Sequence, residues 1–162
     1  MNRLIIIGAG GYGHLVKDVA MDLGYEDIIF LDDNNNSAAG KIEDYEKFAD
    51  YENIIVAIGN PNTRKNIYEI VRHKFNVVSL VHPRAYVSKS AEIDVGCVIE
   101  ACAVINSNAK VKKSSFINAG AVVNHDAVVN EFCQVDCGAV IAAGQKVNEK
   151  TKVESLTVYR GV

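Results

Sequence analysis

The sequence contains no apolar run longer than a β-strand, and stretches such as residues 4–7 are far too short to cross a bilayer. It also has no charged segment leading into an apolar one of the signal-peptide kind, so a cytoplasmic protein without membrane insertion is expected. An excess of one charge is missing too. Seventeen Lys and Arg against twenty Asp and Glu leave a net charge of −3, and the basic residues are scattered, which counts against nucleic-acid binding. Cysteine is confined to Cys97, Cys102, Cys133 and Cys137. The set Cys133, Cys137 and His125 follows no structural zinc spacing, so core packing is the expected role and no metal site is assigned. No serine or cysteine is placed as an obvious acyl-accepting nucleophile.

What the sequence does have is a six-residue period. Every sixth residue across 87–153 is Val or Ile, twelve in succession, and the residue two positions earlier is Ala, Cys or Ser until Gln145 and Thr151. That period predicts a parallel β-helix, in which three short strands make one triangular coil and coils stack at eighteen-residue intervals. The β-branched residue points into the prism and suits a stiff pleated surface, while the small one points inward near a corner. Twelve hexads make four coils, about 19 Å tall at a strand spacing of about 4.8 Å. The last hexads lose glycine and gain charge, as in Asn148-Glu149-Lys150, which suits covering the open end of a prism.

The first eighty residues follow another pattern. Strand-like segments at 4–7, 28–31, 54–58 and 77–81 alternate with helical periodicity after residues 13 and 61, predicting a small parallel α/β sheet with right-handed crossovers. The expected division is a Rossmann-like domain over 1–81 and a left-handed β-helix over 82–162. Gly8, Gly10, Gly11 and Gly13 sit between a strand and a helix, where backbone amides can approach a phosphate. Asp32 and Asp33 lie at about the distance of a carboxylate that bonds a ribose hydroxyl. The same glycines also suit a turn that merely packs helix on strand. A half-sized sheet lacks the second mononucleotide unit of a full dinucleotide fold, and no hydride-transfer site is evident, so an NAD-dependent oxidoreductase is disfavoured.

The glycine loop, the His82-Pro83 junction and the hexapeptide helix occur in an order that resembles the NeuD and PglD group of sugar acyltransferases. The likeness is greatest to the PglD-type UDP-4-amino-sugar N-acetyltransferases, through Phe30-Leu31-Asp32-Asp33, Ala57-Ile58-Gly59-Asn60, Arg64-Lys65 and Asn124-His125-Asp126. The resemblance implies a nucleotide sugar held by the first domain, acetyl-CoA along the β-helix as co-substrate, and a homotrimer with sites between subunits. It also implies that His125 is the general base and Asp126 its acidic neighbour. The residues agree: His125 stands at a polar corner outside the Val/Ile column, an imidazole titrates near neutrality, and a carboxylate beside it can fix its tautomer.

Coil arithmetic puts Ala143 and Gly144 eighteen residues after His125 and Asp126, and the amide of Gly144 is the expected oxyanion donor. Asn118, one turn back, is a candidate to orient the sugar or else a corner residue bonding its own backbone. His14 is a candidate for contact with the sugar phosphate, or a helix-start residue in water. Gly59 and Asn60 complete the expected sugar-nucleotide set. Gln134 stands where members of the group usually carry a second histidine, and is assigned to the cofactor side. The segment 158–162 resembles the group's closing segment, and coils that usually hold the far end of CoA are expected to be missing. Two readings follow: an acetyltransferase acting on an amino group of a nucleotide-linked sugar, or a nucleotide-sugar-binding trimeric relative impaired in CoA binding.

Overall fold

The computed structural model describes residues 2–161; Val162, the last residue of the closing segment 158–162, and Met1 lie outside the described residues. The chain divides into two compact units between Val78 and Ser79. In the first, β1 (Arg3–Ile7), β2 (Asp27–Leu31), β3 (Asn53–Val56) and β4 (Asn76–Val77) form a parallel sheet in the order β2-β1-β3-β4. Leu4, Ile5, Ile6 and Ile7 of β1 are all fully buried, the pattern of a central strand covered on both faces. Helix α1 (Gly11–Asp22) follows β1, and α2 (Pro61–Val71) follows β3. Helix α2 starts with Pro61 in its first turn and is capped by Asn60, whose Oδ1 accepts from the Asn62 and Thr63 amides, each at 3.0 Å.

Two elements differ from the sequence expectation. Between β2 and β3 the chain forms a 3-10 helix, Ile42–Tyr51, where the apolar period gave no element. The strand expected at 77–81 is split: Asn76–Val77 pairs with β3, while Leu80–Val81 pairs with Val98–Ile99 in the second unit. Val81 lies six residues before Val87, so the hexapeptide register claims it.

The second unit is a left-handed parallel β-helix. Among the described residues it has fourteen two-residue strands, from Leu80–Val81 to Val158–Tyr159, in three parallel sheets of four, five and five strands. Every pairing spans eighteen residues, as in Phe116 with Gln134 and Val122 with Val140. The Val/Ile column and its small partners, including Cys97 and Cys133, form one buried core. Each coil turns its corners through a left-handed residue. Eleven consecutive hexad positions from 96 to 156 have φ between 51° and 73°, and seven of the eleven are not glycine. From Ser114 onward, the amide of each such corner donates to a carbonyl nineteen residues earlier, so the strained backbone is held by a ladder running up the prism.

Candidate functional site

The sheet of the first unit ends in a cradle. The chain leaves β1 through Gly8, whose amide donates to the Leu31 carbonyl at 2.9 Å, and enters α1 at Gly11. Gly13 cannot be any other residue, because a Cβ there would lie 1.9 Å from the Gly8 carbonyl oxygen. Gly10, Gly11 and Gly59 have open space where a side chain would stand. The cavity over them is about 450 Å³ and is also lined by Asp32, Asp33 and Thr63. This volume suits a nucleotide-sized ligand, and the positive end of the α1 dipole lies at the glycine loop, where negative charge is favoured.

Asp32 does more than face this cavity. Its Oδ2 accepts from the Ala9 amide at 2.7 Å and its Oδ1 from the Asn34 amide at 2.8 Å. Those two N–H groups, Ala9 first, hold the carboxyl below its ordinary range. The carboxylate therefore braces the glycine loop, and its remaining lone pairs can still accept a ligand hydroxyl. Asn35 completes the brace by donating to the Ala9 carbonyl at 3.0 Å. Asp33 accepts from the Ile42 amide at 3.0 Å, tying the 3-10 helix to the cavity rim. Arg64, fully buried in α2, donates to the carbonyls of Ile58 and Gly59 at 2.7 and 2.9 Å and shapes the opposite wall.

Not every residue expected here lines the cavity. Asn60 spends its side chain as the α2 cap. His14 packs its ring on Phe30, with centroids 4.9 Å apart. Arg64 stood in the sequence only as part of the Arg64-Lys65 motif of the resemblance, and its wall-forming role was missed.

In the prism, His125 and Asp126 occupy the corner between the strands Val122–Val123 and Val128–Val129. Their side chains are 60% and 57% exposed, with Nδ1 of His125 2.8 Å from Oδ2 of Asp126. The other carboxylate oxygen accepts from Asn108 Nδ2 at 3.1 Å. Hydrogen bonds from His125 and then Asn108 hold the Asp126 carboxyl below its ordinary range. The pairing engages Nδ1 of His125 and leaves Nε2 outside it.

The oxyanion assignment needs correction. The Gly144 amide donates to the His125 carbonyl at 3.0 Å, as one rung of the corner ladder, so it is engaged within the protein. The neighbouring amide is different. At three equivalent corners the amides of Val95, His125 and Cys137 donate to the side chains of Asp94, Asn124 and Asp136, at 2.8 to 3.0 Å, whereas among the described residues those of Ala101, Ser107 and Glu131 do not. Ala142 offers no such acceptor, and among the described residues the Ala143 N–H has no hydrogen-bond partner. This exposed donor sits one coil above His125.

Asn118 and Gln134 are not brought to this corner. Asn118 lies at the other edge of the strand Val122–Val123, 6% exposed, with its Nδ2 donating to Asp136 at 3.1 Å. Gln134 stands on a different sheet, between Phe116 and Lys152. Among the described residues no three His, Cys, Asp or Glu side chains are grouped to hold a metal, and no helix is long and apolar enough to cross a membrane.

Residues 3–71 match the family described as the PglD N-terminal domain. The acetyltransferase domain of PglB from Neisseria gonorrhoeae, in complex with acetyl coenzyme A, is 31% identical, with a TM-score of 0.92 over 97% of this chain and 81% of its own. The chain belongs to the PglD/NeuD-type sugar N-acetyltransferases. A mutant of perosamine N-acetyltransferase from Caulobacter crescentus, in complex with CoA and GDP-perosamine, is 25% identical. It covers 94% of this chain and 77% of its own, with a TM-score of 0.85. WeeI from Acinetobacter baumannii, at 16% identity over 98% of this chain and 94% of its own with a TM-score of 0.70, shares the fold.

Proposed function

We propose that the chain transfers the acetyl group of acetyl-CoA to the amino group of a nucleotide-linked sugar, a UDP-4-amino sugar, with His125 as general base. The observation that carries this reading is the corner itself: an exposed imidazole paired through Nδ1 to a carboxylate, one coil below an exposed and unpartnered backbone N–H. His125 Nε2 takes the proton from the sugar amine as its nitrogen attacks the thioester carbonyl. The Ala143 N–H donates to the oxygen as negative charge develops on it. The C–S bond then breaks, and the imidazolium returns its proton to the departing thiolate. Asp126 holds the tautomer and stabilises the imidazolium without taking the proton. The glycine-loop cradle, with Gly8, Gly10, Gly11, Gly13, Asp32, Asp33 and Gly59 along it, supplies the site for the nucleotide diphosphate.

The same proposal includes a homotrimer. The outward residues along one face of the prism are Tyr86, Val104, Val122, Val140 and Val158, paired in register and apolar without exception. Tyr86 is 59% exposed and Val158 50%. A second face carries Glu92, Lys110, Val128 and Lys146 at the equivalent positions, and the third carries Leu80, Val98 and Phe116, all buried, before Gln134 and Lys152, so the stripe from Tyr86 to Val158 is the one that is apolar along its whole length. Cyclic packing of three copies through that stripe would cover it and set His125, at its edge, beside an interface. Val122→Lys places a charge mid-stripe and is expected to convert the assembly to monomer in light-scattering chromatography; an unchanged mass would remove this face from the interface.

Calorimetric titration tests the substrate reading, using acetyl-CoA and a UDP-4-amino sugar separately. Binding of both supports the enzyme. Binding of the sugar nucleotide alone identifies the chain as a nucleotide-sugar-binding relative impaired in CoA binding, and binding of neither overturns the proposal.

A further inference from the structure

Asp126 is an exposed side chain at a left-handed corner, and an exposed ion pair contributes little by itself because both partners reorient freely in water. Something must set the rotation of the carboxylate if one of its oxygens is to stay on His125 Nδ1. Eighteen residues earlier, at the same corner of the preceding coil, Asn108 is left-handed as well, with φ of 57° against 59° for Asp126. Its Nδ2 donates to Asp126 Oδ1 at 3.1 Å while Oδ2 meets the imidazole at 2.8 Å. The two oxygens are thus committed to two partners, which fixes the carboxylate plane. Asn108 is fastened in turn from below: its amide donates to Ser90 Oγ at 3.1 Å, and Ser90 stands eighteen residues earlier again. Beside this column, Asn106 Nδ2 donates to Asn124 Oδ1 at 3.3 Å, and the same Oδ1 accepts the His125 amide at 2.9 Å.

We propose that Asn108 is a positioning residue for the acyl-transfer step, which fixes the Asp126 carboxylate so that His125 is held with its proton on Nδ1 and its lone pair on Nε2. The inference rests on the reading of His125 as the base and extends the site one coil below the histidine. Ser90, Asn108 and Asp126 form one column, and the coil repeat aligns them without any loop. An asparagine suits the place on two counts. It tolerates the left-handed conformation better than most residues, and its amide is a neutral donor that leaves the carboxylate charge intact for the imidazolium.

The test uses the full chain labelled with 15N-histidine. Asn108→Gly removes the donor while keeping a residue at ease with positive φ, and Asn108→Ala repeats the deletion should the glycine variant fold poorly. In the parent, the His125 ring nitrogens, assigned by loss of their signals in His125→Ala, should show one nitrogen protonated and the other bare. In Asn108→Gly they should move toward the averaged values of a tautomer mixture. Turnover should fall about tenfold with KM unchanged, the size expected for losing a hydrogen bond to a charged group. Ring shifts identical to the parent's in both Asn108 variants overturn the proposal, whatever happens to turnover. Should His125→Ala retain full turnover, the base reading fails instead, while the ring shifts still decide whether Asn108 sets the tautomer.

Discussion

The two units of this chain arrive at functional geometry by different routes. In the prism, position along the sequence is position in space: eighteen residues is one coil, so Asn108, Asp126 and Gly144 must stack, and a polar residue at a corner has known neighbours above and below. In the α/β unit, the cradle comes from residues with no fixed interval between them. Asp32 reaches back to Ala9, Asn35 to the same residue, and Arg64 to carbonyls at the end of β3. A repeat makes chemistry easy to place and costly to disturb locally, whereas the open sheet makes a cavity whose walls depend on separate contacts, two of them long-range. In the proposed function the prism accordingly carries the base, and the sheet carries the shape that receives a nucleotide.

The largest effect is expected at His125, the residue proposed to do chemistry without carrying structure. His125→Ala removes an exposed side chain whose backbone bonds stay in place, so the β-helix should melt as before while turnover falls by about 10² to 10⁴. Affinity for the sugar nucleotide should barely change. A loss of affinity comparable to the loss of turnover would assign the histidine to binding.

Glycine positions in the cradle divide next, and in opposite senses. Gly13→Ala drives a methyl group against the Gly8 carbonyl, and a clash of that severity should cost about 3 kcal/mol or more, with nucleotide binding lost as a consequence. Gly11→Val meets nothing within the protein, so stability should hold. Affinity for the sugar nucleotide should nonetheless fall about tenfold, as the side chain blocks backbone approach to phosphate. Thermal melts and titrations of the pair separate a packing glycine from a binding glycine, and equal losses in both variants would collapse that distinction.

How much of this was legible follows the same division. The prism could be read almost in full: the Val/Ile column, its small partners and the corner histidine all sit where the period puts them, and the register even extends to Val81 and Tyr159. What the period concealed was the use of the corner amides. Gly144 was the expected oxyanion donor by spacing, yet the left-handed corner consumes its N–H, and the amide left open one coil above His125 is that of Ala143, after a residue without the side-chain oxygen that Asp94, Asn124 and Asp136 provide. The alanine was visible in the sequence, but the capping is not: Asn106 and Asn130 carry the oxygen and leave the next amide uncapped. In the α/β unit the glycine spacing and Asp32-Asp33 were legible, while the bracing role of Asp32 and the wall formed by Arg64 were not. The Asp32 contact crosses 23 residues with no period, and Arg64 turns back on carbonyls of its own entry loop from a helix position whose side-chain direction no periodicity specifies.

The smallest effect tests that bracing role directly. Asp32 is held below the ordinary carboxylate range chiefly by the Ala9 amide, so its contribution to stability is fully present above its unfolded value, near pH 4, and is lost as pH falls through the lower folded value. Asp32→Asn keeps the size and one acceptor but removes the charge. At neutral pH the variant should be less stable by about 1 kcal/mol, a typical hydrogen-bond contribution. Melting temperatures followed downward from pH 7 should show the two proteins running parallel until the carboxyl begins to protonate, and then converging, because a protonated Asp32 is no better an acceptor than the amide. A gap that persists unchanged to pH 2 would mean that the loop is held by the shape of the side chain and not by its charge, and the cradle would then be as insensitive to acid as the uncharged ladder of the prism.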